Sequence, residues 1–201
     1  MTYPVMLEGE RFTAVVVGGG EVAARKTRAL LDGGVAVTVV APTAVDDLTA
    51  LAAAGRIRWE SRELRDTDIA SATIVIAATD RVEVNHHVAR LVSARGALVN
   101  VVDDPPAGNF VTPSVHRSGD LTIAVSTGRT PAAAAAIRAN IARDFDARYA
   151  AAIGSLRSLR DRLFAAGEHD QWRRASRELI GENFCAEVED GTLEPRIASW
   201  R

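Results

Sequence analysis

The chain of 201 residues has room for one compact domain with an appendage, and its 47% of apolar residues predicts a buried core rather than disorder. A formal net charge of −2 does not suit a general nucleic-acid binder. No apolar run approaches the roughly 20 residues that span a bilayer, and the beginning does not resemble a signal peptide. With Cys185 as its single cysteine, we expect a cytoplasmic protein without an internal disulfide or a membrane partner.

Strands that alternate with helices are predicted over the first 112 residues. Apolar, mostly β-branched runs predict strands at residues 13–17, 35–40, 57–59, 73–77 and 97–102. Helices are expected between them at residues 21–31, 43–54 and 80–95. Thr43 with Asp46, and Asp80 with Glu83, are predicted to cap the second and third of these helices. The alternation implies a parallel sheet that is covered on both faces.

The remaining residues predict a hairpin followed by helices. Strands at residues 110–112 and 121–126 flank Arg117-Ser118-Gly119-Asp120, which is a turn sequence. Thr130 and Pro131 predict the start of a long helix that ends near Tyr149. Two further helices are expected near residues 152–165 and 171–180. We therefore assign residues 113–149 to a dimerisation region and residues 150–201 to a small helical C-terminal domain.

A glycine-rich turn follows the first predicted strand. The segment Gly18-Gly19-Gly20-Glu21-Val22-Ala23 fits G-x-G-x-x-A between a strand and a helix. Gly18 permits a tight turn, Gly20 lets a pyrophosphate approach the backbone, and Ala23 allows close packing of helix on strand. The simpler alternative is a glycine-rich turn that holds no ligand. The context favours a Rossmann-type α/β domain, residues 1–112, that binds a dinucleotide.

The second predicted strand ends without the carboxylate that often binds the ribose of NAD. Val40-Ala41-Pro42-Thr43 contains neither an acid for the ribose hydroxyls nor an arginine for a 2′-phosphate. We therefore expect NAD rather than NADP, with adenosine held by backbone and hydroxyl groups around Pro42 and Thr43.

Three segments together resemble one enzyme family. They are VVVGGGEVAARK (residues 15–26), AATD (residues 77–80) with Asn85, and NVVD (residues 100–103) followed by Phe110, Pro113-Ser114 and Ser126-Thr127-Gly128. In this order they resemble the precorrin-2 dehydrogenase/sirohydrochlorin ferrochelatase family, which includes the N-terminal module of siroheme synthase. The resemblance covers most of residues 5–140, and the tail beyond about residue 150 matches only in its helical character.

The resemblance implies a homodimer that oxidises precorrin-2 to sirohydrochlorin with NAD⁺. Some members of the family also insert Fe²⁺, so a bifunctional enzyme with Fe²⁺ as a second substrate is an alternative that the sequence leaves open. By motif, Asp103 matches the family's essential aspartate, and Thr127 lies where siroheme synthase carries a serine at the mouth of the active site. The positions expected to bind the cofactor are Gly18, Gly20, Glu21, Val22, Pro42, Thr43 and Thr79.

Asp103 follows the fifth predicted strand, at the edge where open α/β sheets bind ligands. Oxidation needs a hydride acceptor and a base for a proton, and a carboxylate there can be that base. The same carboxylate could accept pyrrole protons during metal insertion. Two other interpretations are that Asp103 is a turn residue next to Asp104-Pro105-Pro106, and that Asp104 is the base.

A polycarboxylate tetrapyrrole needs cations around it. Arg117, Arg129 and Arg138 could bind its carboxylates, and each is equally typical of a solvated surface. Asn100 could orient the base or the nicotinamide, and the alternative is a purely structural asparagine at the end of a strand. Adjacent histidines on one helix cannot form a metal pair, and we predict no permanent metal site.

Two other functions share the glycine loop. One is a different NAD-dependent oxidoreductase, and the other is a non-catalytic NAD-binding regulatory domain, which usually keeps the acidic ribose contact. The homodimer also rests on the apolar residues Ile137, Ile141 and Phe145, which recur at helical spacing. Packing inside one chain is the alternative for this stripe.

Overall fold

The computed structural model describes residues 2–128 and 130–200 of the chain. These residues form two units that divide after Thr112. Arg129, a predicted carboxylate ligand, lies outside the described residues.

The first unit is built on a five-stranded parallel sheet with the order β3-β2-β1-β4-β5. All five predicted strands are confirmed within one or two residues. Their apolar, largely β-branched sequences suit strands that are buried on both faces. The strands are β1 (Thr13–Val17), β2 (Ala36–Val40), β3 (Arg58–Glu60), β4 (Ile74–Ala77) and β5 (Leu98–Val101).

Helices cover the two faces of this sheet, so the predicted Rossmann-type fold is confirmed. Successive residues of β1 enter different cores: Val16 packs in a cluster with residues of α1 and α2, whereas Val15 packs in a cluster with residues of α4. The helices are α1 (Glu21–Asp32), α2 (Asp46–Ala53), α3 (Asp66–Ile69) and α4 (Val82–Ala94), with 3₁₀ turns at Gly9–Arg11 and Pro105–Ala107.

The predicted caps of α2 and α4 are wrong. The helices start after Val45 and Arg81, and neither of these residues accepts a side-chain capping bond within the described chain. The backbone N–H of Val45 donates to the carbonyl of Gly19 (2.9 Å), which draws the segment after β2 onto the glycine loop and delays the helix. Glu83 accepts from the guanidinium of Arg81 (3.0 Å), which occupies the carboxylate that the predicted capping box required.

The second unit begins with the hairpin of β6 (Ser114–Ser118) and β7 (Leu121–Val125). The first strand was predicted too early, at residues 110–112. Ser118 pairs with Leu121, so the turn is Gly119-Asp120, and this tight turn sets the register of both strands. Gly119 has a φ of +57°, a conformation that favours glycine.

The helices of this unit are α5 (Pro131–Asp144), α6 (Ala147–Ala165), α7 (His169–Leu179), α8 (Phe184–Glu189) and α9 (Leu193–Ala198). The prediction of one helix up to Tyr149 is wrong, because Asp146 begins a new helix by accepting the backbone N–H of Arg148 (2.9 Å). Residues of α6 to α9 share one apolar core. The division of this unit into a dimerisation region and a C-terminal domain stays a prediction.

Within residues 2–128 and 130–200, no helix combines the length and the apolar character that crossing a bilayer requires.

The connection between β3 and β4 contains a partly buried ion pair between Arg62 and Asp68. Both terminal guanidinium nitrogens of Arg62 donate hydrogen bonds to the carboxylate of Asp68 (2.7 and 2.8 Å). Asp68 also accepts a hydrogen bond from the backbone N–H of Arg65 (2.8 Å). The Asp68 side chain is only 13% exposed. The hydrogen bond from Arg62 lowers the pKa of the Asp68 carboxyl below its ordinary value.

We predict that Asp68→Asn lowers the free energy of unfolding at pH 7 by about 1–2 kcal/mol, because the amide cannot accept the forked bond. Since the folded pKa of Asp68 is lowered, its contribution is present above the ordinary carboxyl pKa of about 3.9 and is lost as the pH falls through the folded pKa. Urea unfolding at several pH values measures the difference, which should shrink in acid.

Asp47→Asn is the matched control for this experiment. Asp47 pairs with Arg28 at the surface, where both side chains are about half exposed, and such pairs contribute about 0–1 kcal/mol. Equal stability of Asp68→Asn and the unaltered chain at pH 7 would contradict a stabilising role of the Arg62–Asp68 ion pair.

Candidate functional site

A cleft of about 670 Å³ lies at the carboxyl ends of the strands of the first unit. It lies beside β1, whose two neighbours β2 and β4 are reached by connections on opposite faces of the sheet. This is the position at which open α/β sheets bind ligands. The cleft is lined by residues 17–22, 40–45, 63–64, 78–81, Val84 and residues 102–103.

The three glycines of the loop after β1 have different reasons to be glycine. Gly18 has a φ of +122°, and an added Cβ would lie 2.3 Å from the carbonyl oxygen of Ala78. At Gly19 the added Cβ would lie 1.9 Å from the carbonyl oxygen of Thr43. At Gly20 it would meet no described atom within 4 Å. The fold therefore requires Gly18 and Gly19, whereas Gly20 leaves open space in the cleft.

The N-terminus of α1 also faces this site. Gly20 is its N-cap residue and has no side chain to accept the free N–H groups of the first turn, which starts at Glu21. These groups, together with the positive end of the helix dipole, favour a phosphate. The open space at Gly20 and the free N–H groups fit the pyrophosphate of a dinucleotide.

At the end of β2, the backbone carbonyls are already bonded. The carbonyl of Ala41 accepts the indole N–H of Trp59 (3.0 Å), and that of Pro42 accepts the hydroxyl of Ser61 (3.2 Å). Thr43 remains exposed on the wall of the cleft. Glu63 lines the same cleft from the connection after β3 and was missed, because no sequence motif marks that connection as part of a site.

Asp103 follows β5 and lines the same cleft as the residues of the glycine loop. Its Oδ1 accepts a hydrogen bond from Nδ2 of Asn85 (2.9 Å), a fully buried residue of α4. Asn85 also bonds Thr79, which lines the cleft at the end of β4. Asp104 instead pairs with His86 (2.9 Å) and is not among the described residues that line the cleft.

All the positions predicted to bind the cofactor, and Asp103, therefore line one cleft. Asn100 does not line it in the described chain: it is 5% exposed, and its Nδ2 donates to the carbonyl of Phe110 (3.0 Å). Lys26, the last residue of the family motif at residues 15–26, does not line the cleft in the described chain either. Its ammonium group donates to the hydroxyl of Thr112. Burial lowers the pKa of Lys26, and the nearby Arg25 lowers it further.

The other predicted substrate ligands belong to the second unit. Arg117 is exposed on β6, opposite Thr122, and Arg138 is half-buried on α5. Neither arginine is in an ion pair with the carboxylates that the structure describes. The hydroxyl of Thr127 donates to the carbonyl of Thr130 (2.6 Å). Their roles in binding stay predictions.

The described residues contain no group of three or more His, Cys, Asp or Glu side chains that could hold a metal ion. His86 and His87 each pair with a separate carboxylate, of Asp104 and Asp66 respectively.

A parallel sheet in this strand order, with a glycine turn and a free helix N-terminus at the centre of its carboxyl edge, defines a dinucleotide-binding α/β protein. The chain belongs to the family described as putative NAD(P)-binding, whose model matches residues 5–114. This membership confirms the prediction of a nicotinamide dinucleotide cofactor.

Among curated proteins, the chain is 37% identical over 177 residues to siroheme synthase 1 of Aeromonas salmonicida, covering 85% of this chain and 38% of the relative. It is 35% identical over 195 residues to the siroheme synthase of Methylobacillus flagellatus, covering 94% of this chain and 42% of the relative. The chain thus spans about two fifths of the length of these relatives.

A solved structure described as SirC, precorrin-2 dehydrogenase, superposes with a TM-score of 0.76 and 25% identity. The match covers 99% of this chain and all of that one. These comparisons confirm the family resemblance that the motifs of residues 15–26, 77–85 and 100–103 indicate.

We predict that Gly20→Ala weakens NAD⁺ binding by at least about tenfold, a loss of about 1.4 kcal/mol, because the methyl group occupies space that a pyrophosphate needs. The melting temperature should not change, since the added Cβ meets no described atom. Calorimetric titration and thermal melting measure the two effects.

Gly18→Ala is the contrasting variant, and it should lower the melting temperature because the loop itself requires glycine there. If Gly20→Ala binds NAD⁺ with unchanged affinity, the glycine loop is not the pyrophosphate site.

Proposed function

We propose that this protein oxidises precorrin-2 to sirohydrochlorin with NAD⁺ as the hydride acceptor. The observation that carries the proposal is the presence of a carboxylate, Asp103, in the same cleft as the glycine loop and the free end of α1. The siroheme synthase relatives and the likeness to a precorrin-2 dehydrogenase over the whole chain support the choice of substrate.

In this proposal NAD⁺ supplies the hydride acceptor, and the protein supplies binding and a base. The residues that would hold the dinucleotide are Gly18, Gly20, Glu21, Val22, Pro42, Thr43 and Thr79. The backbone N–H groups at the start of α1 would bind its pyrophosphate. The absence of an arginine in Val40-Ala41-Pro42-Thr43 supports NAD over NADP.

Asp103 takes the proton that the tetrapyrrole loses when its hydride leaves. The side chain is exposed and lines the cleft, so a substrate can reach it. Asp104 is the weaker candidate because His86 already occupies its carboxylate. A positioned general base contributes about 10²–10⁴-fold to a rate.

The substrate's carboxylates need cations, and we propose Arg117, Arg129 and Arg138 for this role, with Thr127 as a further substrate contact. The support is the charge of these side chains together with the family motif around Thr127. Insertion of Fe²⁺ and a cytoplasmic location stay predictions from the sequence.

Two other functions use the same cleft. A regulatory NAD sensor would bind the dinucleotide without turning over a substrate, and another oxidoreductase would reduce NAD⁺ with a different substrate. Neither explains why the relatives along the chain are siroheme synthases.

We predict that Asp103→Asn lowers kcat for precorrin-2 oxidation by at least about 100-fold, since the amide cannot take a proton. NAD⁺ affinity should remain within about threefold of the unaltered chain, because the change keeps the shape of the cleft. Anaerobic turnover followed by NADH absorbance, together with calorimetric titration of NAD⁺, measures both.

Asp104→Asn is the companion variant. Loss of turnover in Asp104→Asn with normal turnover in Asp103→Asn would transfer the role of base to Asp104. Normal turnover in both variants would reject a carboxylate base after β5.

We also propose that the protein forms a homodimer through its hairpin and α5. A two-stranded sheet is marginal by itself, and α5 buries only Ala134 among its described side chains within one chain. Ile137 of α5 is 43% exposed. Phe145 from the predicted apolar stripe packs instead against Tyr149 in the same chain, with ring centroids 4.7 Å apart.

We predict that Ile137→Asp halves the mass measured by light scattering at micromolar concentration, because a carboxylate replaces an apolar contact at the proposed interface. Ala139→Asp, also exposed on α5 but about 200° around the helix from Ile137, is the control and should stay dimeric. A monomeric unaltered chain would contradict the dimer.

A further inference from the structure

Asn85 is completely buried, and both the oxygen and the nitrogen of its side-chain amide make two hydrogen bonds each. Its Oδ1 accepts from the backbone N–H of Thr79 (3.1 Å) and from the Thr79 hydroxyl (2.7 Å). Its Nδ2 donates to the backbone carbonyl of Thr79 (3.0 Å) and to Oδ1 of Asp103 (2.9 Å). A buried amide with all its bonds satisfied is costly to rearrange.

The backbone of Thr79 decides which way this amide points. A backbone N–H can only donate and a backbone carbonyl can only accept, so Oδ1 of Asn85 must face the first and Nδ2 the second. The second hydrogen of Nδ2 is then directed at Asp103. The contact requires Oδ1 of Asp103 to act as a hydrogen-bond acceptor.

The two oxygens of Asp103 therefore differ. Oδ1 is engaged by Asn85, while Oδ2 makes no hydrogen bond to another group within residues 2–128 and 130–200. Asp103 lines the cleft, whereas Asn85 lies beneath it, so the amide restrains the carboxylate from the protein side.

We propose that Asn85 is the positioning residue of the reaction: it holds Oδ1 of Asp103 as a hydrogen-bond acceptor and leaves Oδ2 to receive the substrate's proton. This inference rests on the function proposed above for Asp103. It also explains how one side chain links the end of β4, through Thr79, to the end of β5. Asn85 of α4 thus connects Thr79, a predicted cofactor-binding residue, with the proposed base Asp103.

The adjacent pair offers an internal comparison. His86 follows Asn85 on α4, and its Nε2 lies 2.9 Å from Oδ2 of Asp104. This contact ties the same helix to the same connection after β5, but it does not touch Asp103. If only the general position of that connection mattered, removing either contact would have the same effect on the reaction.

The test uses Asn85→Asp, which keeps the shape of the side chain and the oxygen that accepts from Thr79. The substitution turns Nδ2, which donates to Asp103 and to the Thr79 carbonyl, into a second acceptor. We expect kcat for precorrin-2 oxidation to fall by about 10–100-fold, the usual result of displacing a catalytic group slightly. The affinity for NAD⁺ should remain within about threefold, because Oδ1 still accepts from Thr79. His86→Ala should keep kcat within about threefold.

A second arm measures stability and needs no substrate. In Asn85→Asp the two carboxylates face each other, whereas in Asn85→Asp with Asp103→Asn an amide again faces a carboxylate. The double variant should therefore unfold at a higher urea concentration than Asn85→Asp alone. It should have no more turnover than Asp103→Asn, because it lacks the base.

The outcomes separate the two claims. Unchanged kcat in Asn85→Asp, an equal fall in His86→Ala, or no recovery of stability in the double variant would each overturn the role of Asn85 while leaving the dehydrogenase intact. An unaltered chain that binds NAD⁺ but does not oxidise precorrin-2 would overturn the proposed function and the positioning role together, whatever the stability arm showed.

Discussion

The parallel pairing of β1 with both β2 and β4 determines where the groups of the cleft lie. Because these strands run in the same direction, their carboxyl ends meet at one edge of the sheet, and the segments that follow them must pass one another there. The consequence is visible at Gly18, where the carbonyl oxygen of Ala78 leaves no room for a Cβ. The fold itself therefore requires glycine at position 18, independently of any ligand.

The same parallel pairing brings the candidate functional groups to that edge of the sheet. The start of α1 contributes free N–H groups, the end of β4 contributes Thr79, and the end of β5 contributes Asp103. Asn85 joins the last two from beneath, and its burial makes their relative position stiff. A cofactor and a base can thus be held at a constant separation by the sheet rather than by flexible loops.

Much of the first unit could be predicted because its signals are local. Runs such as Thr13–Val17 and Ile74–Ala77 can be buried only as strands or helices, and their shortness and β-branching favour strands. The glycine loop and Asp103 follow such strands directly, so their place at the carboxyl edge follows from the topology.

What the sequence did not predict depends on contacts between distant residues. The late start of α2 follows from the bond between Val45 and Gly19, and the break before α6 follows from the cap at Asp146. Asn85 belongs to a recognised motif, but its link to Asp103 spans 18 positions and becomes visible only in three dimensions. No sequence motif surrounds Arg117 or Arg138, so their charge alone could not show whether they bind substrate.

The most direct test of the central claim is the stoichiometry of the proposed reaction. Purified protein is incubated anaerobically with precorrin-2 and NAD⁺, and NADH and sirohydrochlorin are quantified from their absorbance over time. We expect the two products to appear together in equal amounts, and only when the protein is present. NAD⁺ that binds while precorrin-2 stays unoxidised, or sirohydrochlorin that forms without NADH, would contradict it.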